Sequence, residues 1–145
     1  MKTNNRLKNM FRGALVAMLS IGLMACGETE SKKLPEDVAK EFIEAIYNTK
    51  DIKAIGPLST SKVSDIVNHY RSVKMIQRHV MDLSLDSAKI KITDVGGDFF
   101  RKSRKDLTVE LHISGKYNGG FVADDRFFLM TFEGNRWKVK RISKS

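Results

Sequence analysis

Apolar residues recur at helical spacing between residues 35 and 83. Proline suits the first helical position, so Pro35 opens a first helix that the polar segment 48–51 stops. A brief helical turn is expected around 52–55, before Gly56-Pro57. A third helix, capped by Ser59, Thr60 or Ser61, is predicted to run unbroken to about Leu83. The stripe of this third helix comprises Val63, Ile66, Val67, Tyr70, Val73, Ile76, Val80 and Met81.

The apolar period changes to two beyond Asp86-Ser87, which is typical of strands with one covered face. The segment from Arg126 to Phe132 is apolar on both faces, which indicates a central or doubly covered strand. Turn signals at Asn118-Gly119-Gly120 and Gly134-Asn135 predict consecutive antiparallel hairpins. The predicted fold is therefore α+β, with three N-terminal helices packed on a curved antiparallel sheet of about four strands. The alternating positions are Ile90 and Ile92, then Leu107, Val109, Leu111 and Ile113, then Trp137 and Val139.

The N-terminal segment has the layout of a secretory signal: four cations and no acid in residues 1–12, then an apolar run over residues 14–25. This run is shorter than the roughly 20 residues that a membrane-spanning helix needs. Leu23, Ala25, Cys26 and Gly27 resemble the cleavage site of a bacterial lipoprotein signal. The resemblance implies that Cys26 receives diacylglycerol, becomes the first mature residue and is commonly acylated at its amino group, for example by palmitate. An ordinary signal peptide with an incidental cysteine is the alternative.

Domain boundaries and charge follow from this segment. We expect a signal peptide at 1–25, a lipidated cysteine and tether at 26–34, and one domain at 35–145. The formal charge of the whole chain is +9, but four of its 26 basic residues precede Cys26 and all 17 acidic residues follow it, which leaves +5. This modest charge and the expected extracytoplasmic location argue against nucleic acid as a partner. A domain with no second cysteine cannot close an internal disulfide, so packing must stabilise it.

Two further segments carry a resemblance over essentially the whole mature domain. The matching residues are Leu34 to Phe42, Ala45 to Asp51 and the final Arg136-Trp137-Lys138-Val139. In these residues the chain resembles an uncharacterised family of bacterial lipoproteins with a nuclear transport factor 2-like domain. This superfamily fold is also described as cystatin-like, SnoaL-like or ketosteroid-isomerase-like. The resemblance implies a cone whose helices and concave sheet enclose a cavity, which holds a ligand, an active site or only side chains. It does not imply one activity, because a fold hosts many functions.

Candidate ligand-binding residues in such a cavity are Tyr70, Asp125, Phe128 and Trp137. Tyr70 and Asp125, with Asp94 and Asp124, are also the groups that acid–base catalysis of an enolisation or dehydration would use. No catalytic residue is assigned and no cofactor is expected, since no nucleophile motif or phosphate loop occurs. No metal site is expected either, because His69, His79 and His112 lack the spacing of a helical zinc site.

A basic cluster follows the first predicted strand. Arg101, Lys102, Arg104 and Lys105 place four cations within five residues, next to Phe99-Phe100. In a membrane-tethered domain, such a loop can contact anionic lipid headgroups, each cation contributing about 1 kcal/mol near the surface. A solvated loop is the alternative interpretation.

The sequence thus predicts a lipoprotein anchored by acylated Cys26 in the cell membrane or the outer membrane, with its domain on the periplasmic or extracytoplasmic side. We expect this domain to be non-enzymatic and to bind a small apolar ligand or an envelope protein. The alternatives are an isomerase- or dehydratase-like enzyme that uses the cone cavity, and a protein-interaction or inhibitor subunit. The state of the cavity separates the three, because an enzyme needs convergent polar groups in an accessible site.

Overall fold

The computed structural model describes residues 32–96 and 105–144. The predicted signal peptide, Cys26 and the first part of the tether lie outside the described residues. So do three members of the basic cluster: Arg101, Lys102 and Arg104. Within the described ranges, no helix is long and apolar enough to cross a membrane.

The first two helices lie close to their predicted positions. Helix α1 spans Pro35–Tyr47, with Glu36 and Asp37 at the positive end of its dipole, and α2 spans Ile52–Ile55. A 3₁₀ turn at Gly56–Leu58 follows. The next two helices are α3, Ser61–Tyr70, and α4, Val73–His79.

The prediction of one unbroken third helix was wrong, and the described chain has four α-helices where three were expected. Arg71 takes a left-handed backbone conformation, with φ of 51°, and this ends α3. Ser72 returns to extended backbone, and α4 begins after it. Because Val67 on α3 and Ile76 on α4 are both buried in the same core, the apolar repeat continues across the break.

Four strands form one antiparallel sheet in the order β1-β2-β3-β4, as the alternating pattern predicts. They are β1 Ser87–Val95, β2 Asp106–Tyr117, β3 Gly120–Glu133 and β4 Arg136–Lys144. Residues with positive φ at Asn118, Gly119, Gly134 and Asn135 form the two hairpin turns at the predicted places. The strand predicted from Arg126 is central, as expected, but begins six residues earlier.

The strand register defines an inner face that packs on the helices and an outer face that is turned away from them. On β2 the inner positions are the odd-numbered residues from Leu107 to Ile113, all buried, and on β3 they include Phe128 and Met130. Helix α1 runs along this inner face, with Phe42 and Ile46 fully buried. The helices and the inner face therefore share one core.

Candidate functional site

A buried arginine occupies the inner face of the sheet. Arg126 is in phase with Phe128 and Met130 on β3, and only 1% of it is exposed. Its guanidinium lies 2.6 Å from a carboxylate oxygen of Asp124, which is in the same phase of the strand. Since a buried charge must be paired and hydrogen-bonded, the rest of its contacts decide whether it is free to bind anything else.

The remaining donors of Arg126 are directed to backbone carbonyls. The guanidinium donates to the carbonyl of Met81 from two nitrogens, at 3.0 and 3.3 Å, and to that of Asp82 at 3.4 Å. It also donates to the carbonyl of Asp125 at 3.1 Å. Arg126 thereby fixes the loop that leads from α4 to β1 against the sheet.

Two more buried polar side chains hold the same loop. The Tyr47 hydroxyl donates to the carbonyl of Leu83 at 2.7 Å, and burial raises the pKa of this hydroxyl despite the opposing charge of Arg126. The Gln77 side chain accepts from the backbone N–H of Leu85 at 3.2 Å and donates to the carbonyl of Ile46 at 3.5 Å. We call Tyr47, Gln77, Asp124 and Arg126 the loop-closing network. Three of its four members are buried, and their contacts satisfy the protein's own backbone.

The four predicted ligand-binding residues do not form one site. Phe128 is fully buried and packs edge-on against Phe42, with ring centroids 6.3 Å apart. Trp137 is partly buried at the far end of the inner face and packs edge-on on Phe132 at 5.3 Å.

Tyr70 ends α3 and lies between two histidine rings. It packs partly against the core, stacks on His79 at 5.2 Å and meets His69 edge-on at 5.3 Å. Within residues 32–96 and 105–144, no group of three or more potential metal ligands is present.

Asp125 lies on the outer face, away from the cone interior. One of its carboxylate oxygens is 2.7 Å from Nδ1 of His112 on the neighbouring strand, and both side chains are about two-fifths exposed. The strand alternation explains this placement, because adjacent residues of a strand point to opposite faces and Arg126 is inside. Asp125 therefore cannot act within the interior.

Of the predicted headgroup-contact residues, only Lys105 is described, and it is exposed. Its carbonyl accepts from the backbone N–H of Phe132 at 2.8 Å, so it lies at the end of the sheet where β3 turns into β4. The ammonium of Lys32, the first described residue, lies 6.0 Å from the centre of the Phe132 ring. The chain thus enters the domain at this same end.

A surface cavity of about 460 Å³ opens at the other end of the domain. Its cationic walls come from Lys50, which follows α1, and from Lys74 and Arg78 on α4. Apolar and neutral side chains form most of the remaining lining, with one acid. These further residues are Val73, Met75, Gln77, Ser84, Leu85, Asp86 and Tyr117.

Sequence reasoning missed this cavity because its walls come from separate elements. Lys74 and Arg78 are spaced i, i+4 and share a helix face, which was a visible signal. Lys50 and Tyr117 join them only through the fold, and no local pattern links residues so far apart in the chain. The unbroken helix that was predicted also obscured α4 as a separate element.

Comparisons with known proteins support the fold. No protein-family model and no curated protein matches the chain. The chain is similar to a five-substitution version of the structure named Rd1NTF2_05, at 8% identity and a TM-score of 0.53, over 76% of this chain and 95% of that one. It is also similar to Rd1NTF2_04 with long sheet, at 16% identity and a TM-score of 0.50, over 77% of this chain and 100% of that one.

A third similar structure is an NTF-2-like protein of unknown function from Shewanella oneidensis MR-1, at 13% identity and a TM-score of 0.49. That likeness covers 75% of this chain and 97% of the other. At such identities the likeness concerns the fold alone, and the domain has a nuclear transport factor 2-like fold. The predicted resemblance to a lipoprotein family stays a prediction.

Proposed function

We propose that this chain is a lipid-anchored protein of the cell envelope whose domain binds a ligand or partner without catalysing a reaction. The anchor is proposed from the sequence pattern that ends at Cys26, and acyl chains would hold it with about 0.8 kcal/mol per buried methylene. Lys32, Lys33 and Leu34 are exposed and precede the first helix, as a tether would require.

The single observation that supports a binding role over catalysis is the loop-closing network. An interior active site would need polar groups that converge on open space. Here Arg126 and Tyr47 are buried and donate to backbone carbonyls of residues 81–83. Of the acid–base candidates of the enzyme alternative, Asp125 lies on the outer face and Asp124 is paired with Arg126. The function is therefore better sought on the surface, where a cavity is present.

A protein partner on the outer face of the sheet is the second candidate. Phe121, beside the hairpin turn between β2 and β3, is 75% exposed and pairs across the strands with Lys116. An exposed aromatic beside a cation suits a protein interface, where aromatic residues are enriched. Phe121→Ser would then weaken capture of that partner from envelope extracts while leaving the unfolding midpoint unchanged.

The anchor is tested by mass spectrometry of the chain isolated from membranes, with Cys26→Ser as the matched control. We expect the wild-type N-terminal peptide to begin at Cys26 and to carry diacylglycerol. The variant should carry no lipid at position 26. An unmodified Cys26 thiol in the isolated protein would refute the anchor. A wild-type peptide that begins elsewhere would refute the cleavage site.

A further inference from the structure

We propose that the surface cavity is a binding site for an amphipathic anion, with the anionic group at Lys50, Lys74 and Arg78 and the apolar part on Val73, Met75 and Tyr117. The inference rests on the proposed function in taking the domain as a binding module, and it adds the site and the class of ligand. The volume of about 460 Å³ lies in the range of small-ligand sites, which is roughly 300–1,000 Å³.

The charge of the lining is the first argument. The lining contains three cations and one acid, Asp86. None of the three cations makes an ion pair with a described residue. Lys74 and Arg78 are like charges at i, i+4 on a helix of seven residues, an arrangement that destabilises a helix. A bound anion would remove this repulsion and would pair with all three cations.

The apolar part of the lining is the second argument. Leu85 is buried beneath the cavity, whereas Met75 and Tyr117 leave 39% and 37% of their surface exposed. An inorganic ion would leave this apolar surface in water. A ligand that carries both an anionic group and a short apolar chain or ring would cover it and would gain about 25 cal/mol for each Å² buried.

The position of the cavity indicates which source the ligand comes from. Tyr117 lies beside Gly120 at the start of β3, whereas the chain enters the domain near Phe132, twelve residues further along the same strand. At about 3.3 Å per residue, these two ends are about 40 Å apart along the strand. Lys32 thus lies at one end of the domain and the cavity at the other, so we infer a ligand that arrives from the aqueous side.

The test uses the full chain reconstituted in nanodiscs of zwitterionic phosphatidylcholine, with hexyl phosphate as the probe and titration calorimetry as the readout. The cavity variant is Lys74→Gln with Arg78→Gln. The matched control is Lys89→Gln with Lys91→Gln, which removes the same charge from the outer side of β1. All four side chains are exposed, so neither variant should lower the unfolding midpoint. Loss of the repulsion between Lys74 and Arg78 should raise the midpoint slightly in the cavity variant.

We expect the cavity variant to bind hexyl phosphate at least about tenfold more weakly than the wild type, because two charge-assisted contacts are lost. The control should bind within about twofold of the wild type, since its cations lie elsewhere. Lys50→Gln alone should weaken binding by a smaller factor. Hexanol, which lacks the anionic group, should bind more weakly than hexyl phosphate. Equal binding by the cavity variant and the control would overturn the site.

A second arm separates a soluble ligand from a membrane lipid. Nanodiscs that contain phosphatidylglycerol should leave the affinity for hexyl phosphate unchanged if the cavity faces away from the bilayer. Competition by that lipid would overturn the aqueous source and assign the site to lipid headgroups. The mass spectrometry of Cys26 tests the anchor separately from the cavity. An unmodified Cys26 together with intact hexyl phosphate binding would refute the anchor and leave the cavity site standing.

Discussion

Replacing Arg126 by methionine tests whether the loop-closing network is structural. The substitution keeps an unbranched side chain in the core but removes the guanidinium, which is 1% exposed and contacts three backbone carbonyls. The buried carbonyl of Met81 and the partly buried carbonyl of Asp82 would then lose this donor. A buried acceptor without a partner costs about 1–3 kcal/mol, and breaking a buried ion pair costs about 3–5 kcal/mol.

The expected loss is at the lower end of that range. Asp124, the ionic partner, is 37% exposed, so water can solvate its carboxylate once the guanidinium is gone. We therefore expect Arg126→Met to lower the free energy of unfolding by about 3 kcal/mol, out of about 5–15 kcal/mol for a domain of this kind. At about 4 °C per kcal/mol, the melting temperature should fall by about 12 °C.

Urea unfolding of a chain that begins at Gly27, followed by circular dichroism and by the fluorescence of the single tryptophan, Trp137, measures this loss. The variant Asp124→Asn with Arg126→Met separates the two causes. If the unpaired carbonyls account for most of the lost stability, the free energy of unfolding of this double variant should stay within about 1 kcal/mol of that of Arg126→Met. A loss of less than about 1 kcal/mol in Arg126→Met would refute the reasoning, because the network would then not hold the loop.

Three further predictions concern other contacts. Gly115→Ala should destabilise the domain by about 1–3 kcal/mol in urea unfolding, since a Cβ there would clash with the carbonyl oxygen of Ser87. Tyr47→Phe should cost about 1–3 kcal/mol by the same assay, because the buried carbonyl of Leu83 loses its donor. The hydrogen bond from Lys140 lowers the pKa of the Asp106 carboxyl in the folded protein. The ionised carboxylate therefore stabilises the fold above the pKa of the unfolded chain, about 3.9, and this stabilisation is lost as pH falls through the lowered pKa. Urea midpoints at pH 7 and pH 3 should therefore differ less in Asp106→Asn than in the wild type.

The sheet was predictable because period-two alternation and turn chemistry act locally. Leu107, Val109, Leu111 and Ile113 alternate with polar residues, and all four are buried on one face. The helical break was not predictable from periodicity. The apolar stripe is preserved across Arg71, and only the left-handed conformation of this residue separates α3 from α4.

The candidate site was predictable only in part. Tyr70 was expected on the core stripe, and it packs partly against the core. Arg126 was missed as an interior residue, although counting back by two from Phe128 places it on the inner face. Because β3 was predicted to be apolar on both faces, its alternation was not used to assign residues to a face. The same count by two places Asp125, which was predicted as an interior residue, on the outer face.

The buried network and the surface cavity are linked through one loop. Gln77 lines the cavity and also holds the backbone N–H of Leu85, while Arg126 and Tyr47 hold the carbonyls of residues 81–83. The loop that lines the cavity with Leu85 is thus fixed from the core side. Preorganised walls reduce the ordering cost of binding, so the network that holds this loop can also raise affinity at the surface. By this argument Tyr47→Phe, which leaves every cavity cation in place, should weaken hexyl phosphate binding modestly, whereas Phe121→Ser at the outer face should not.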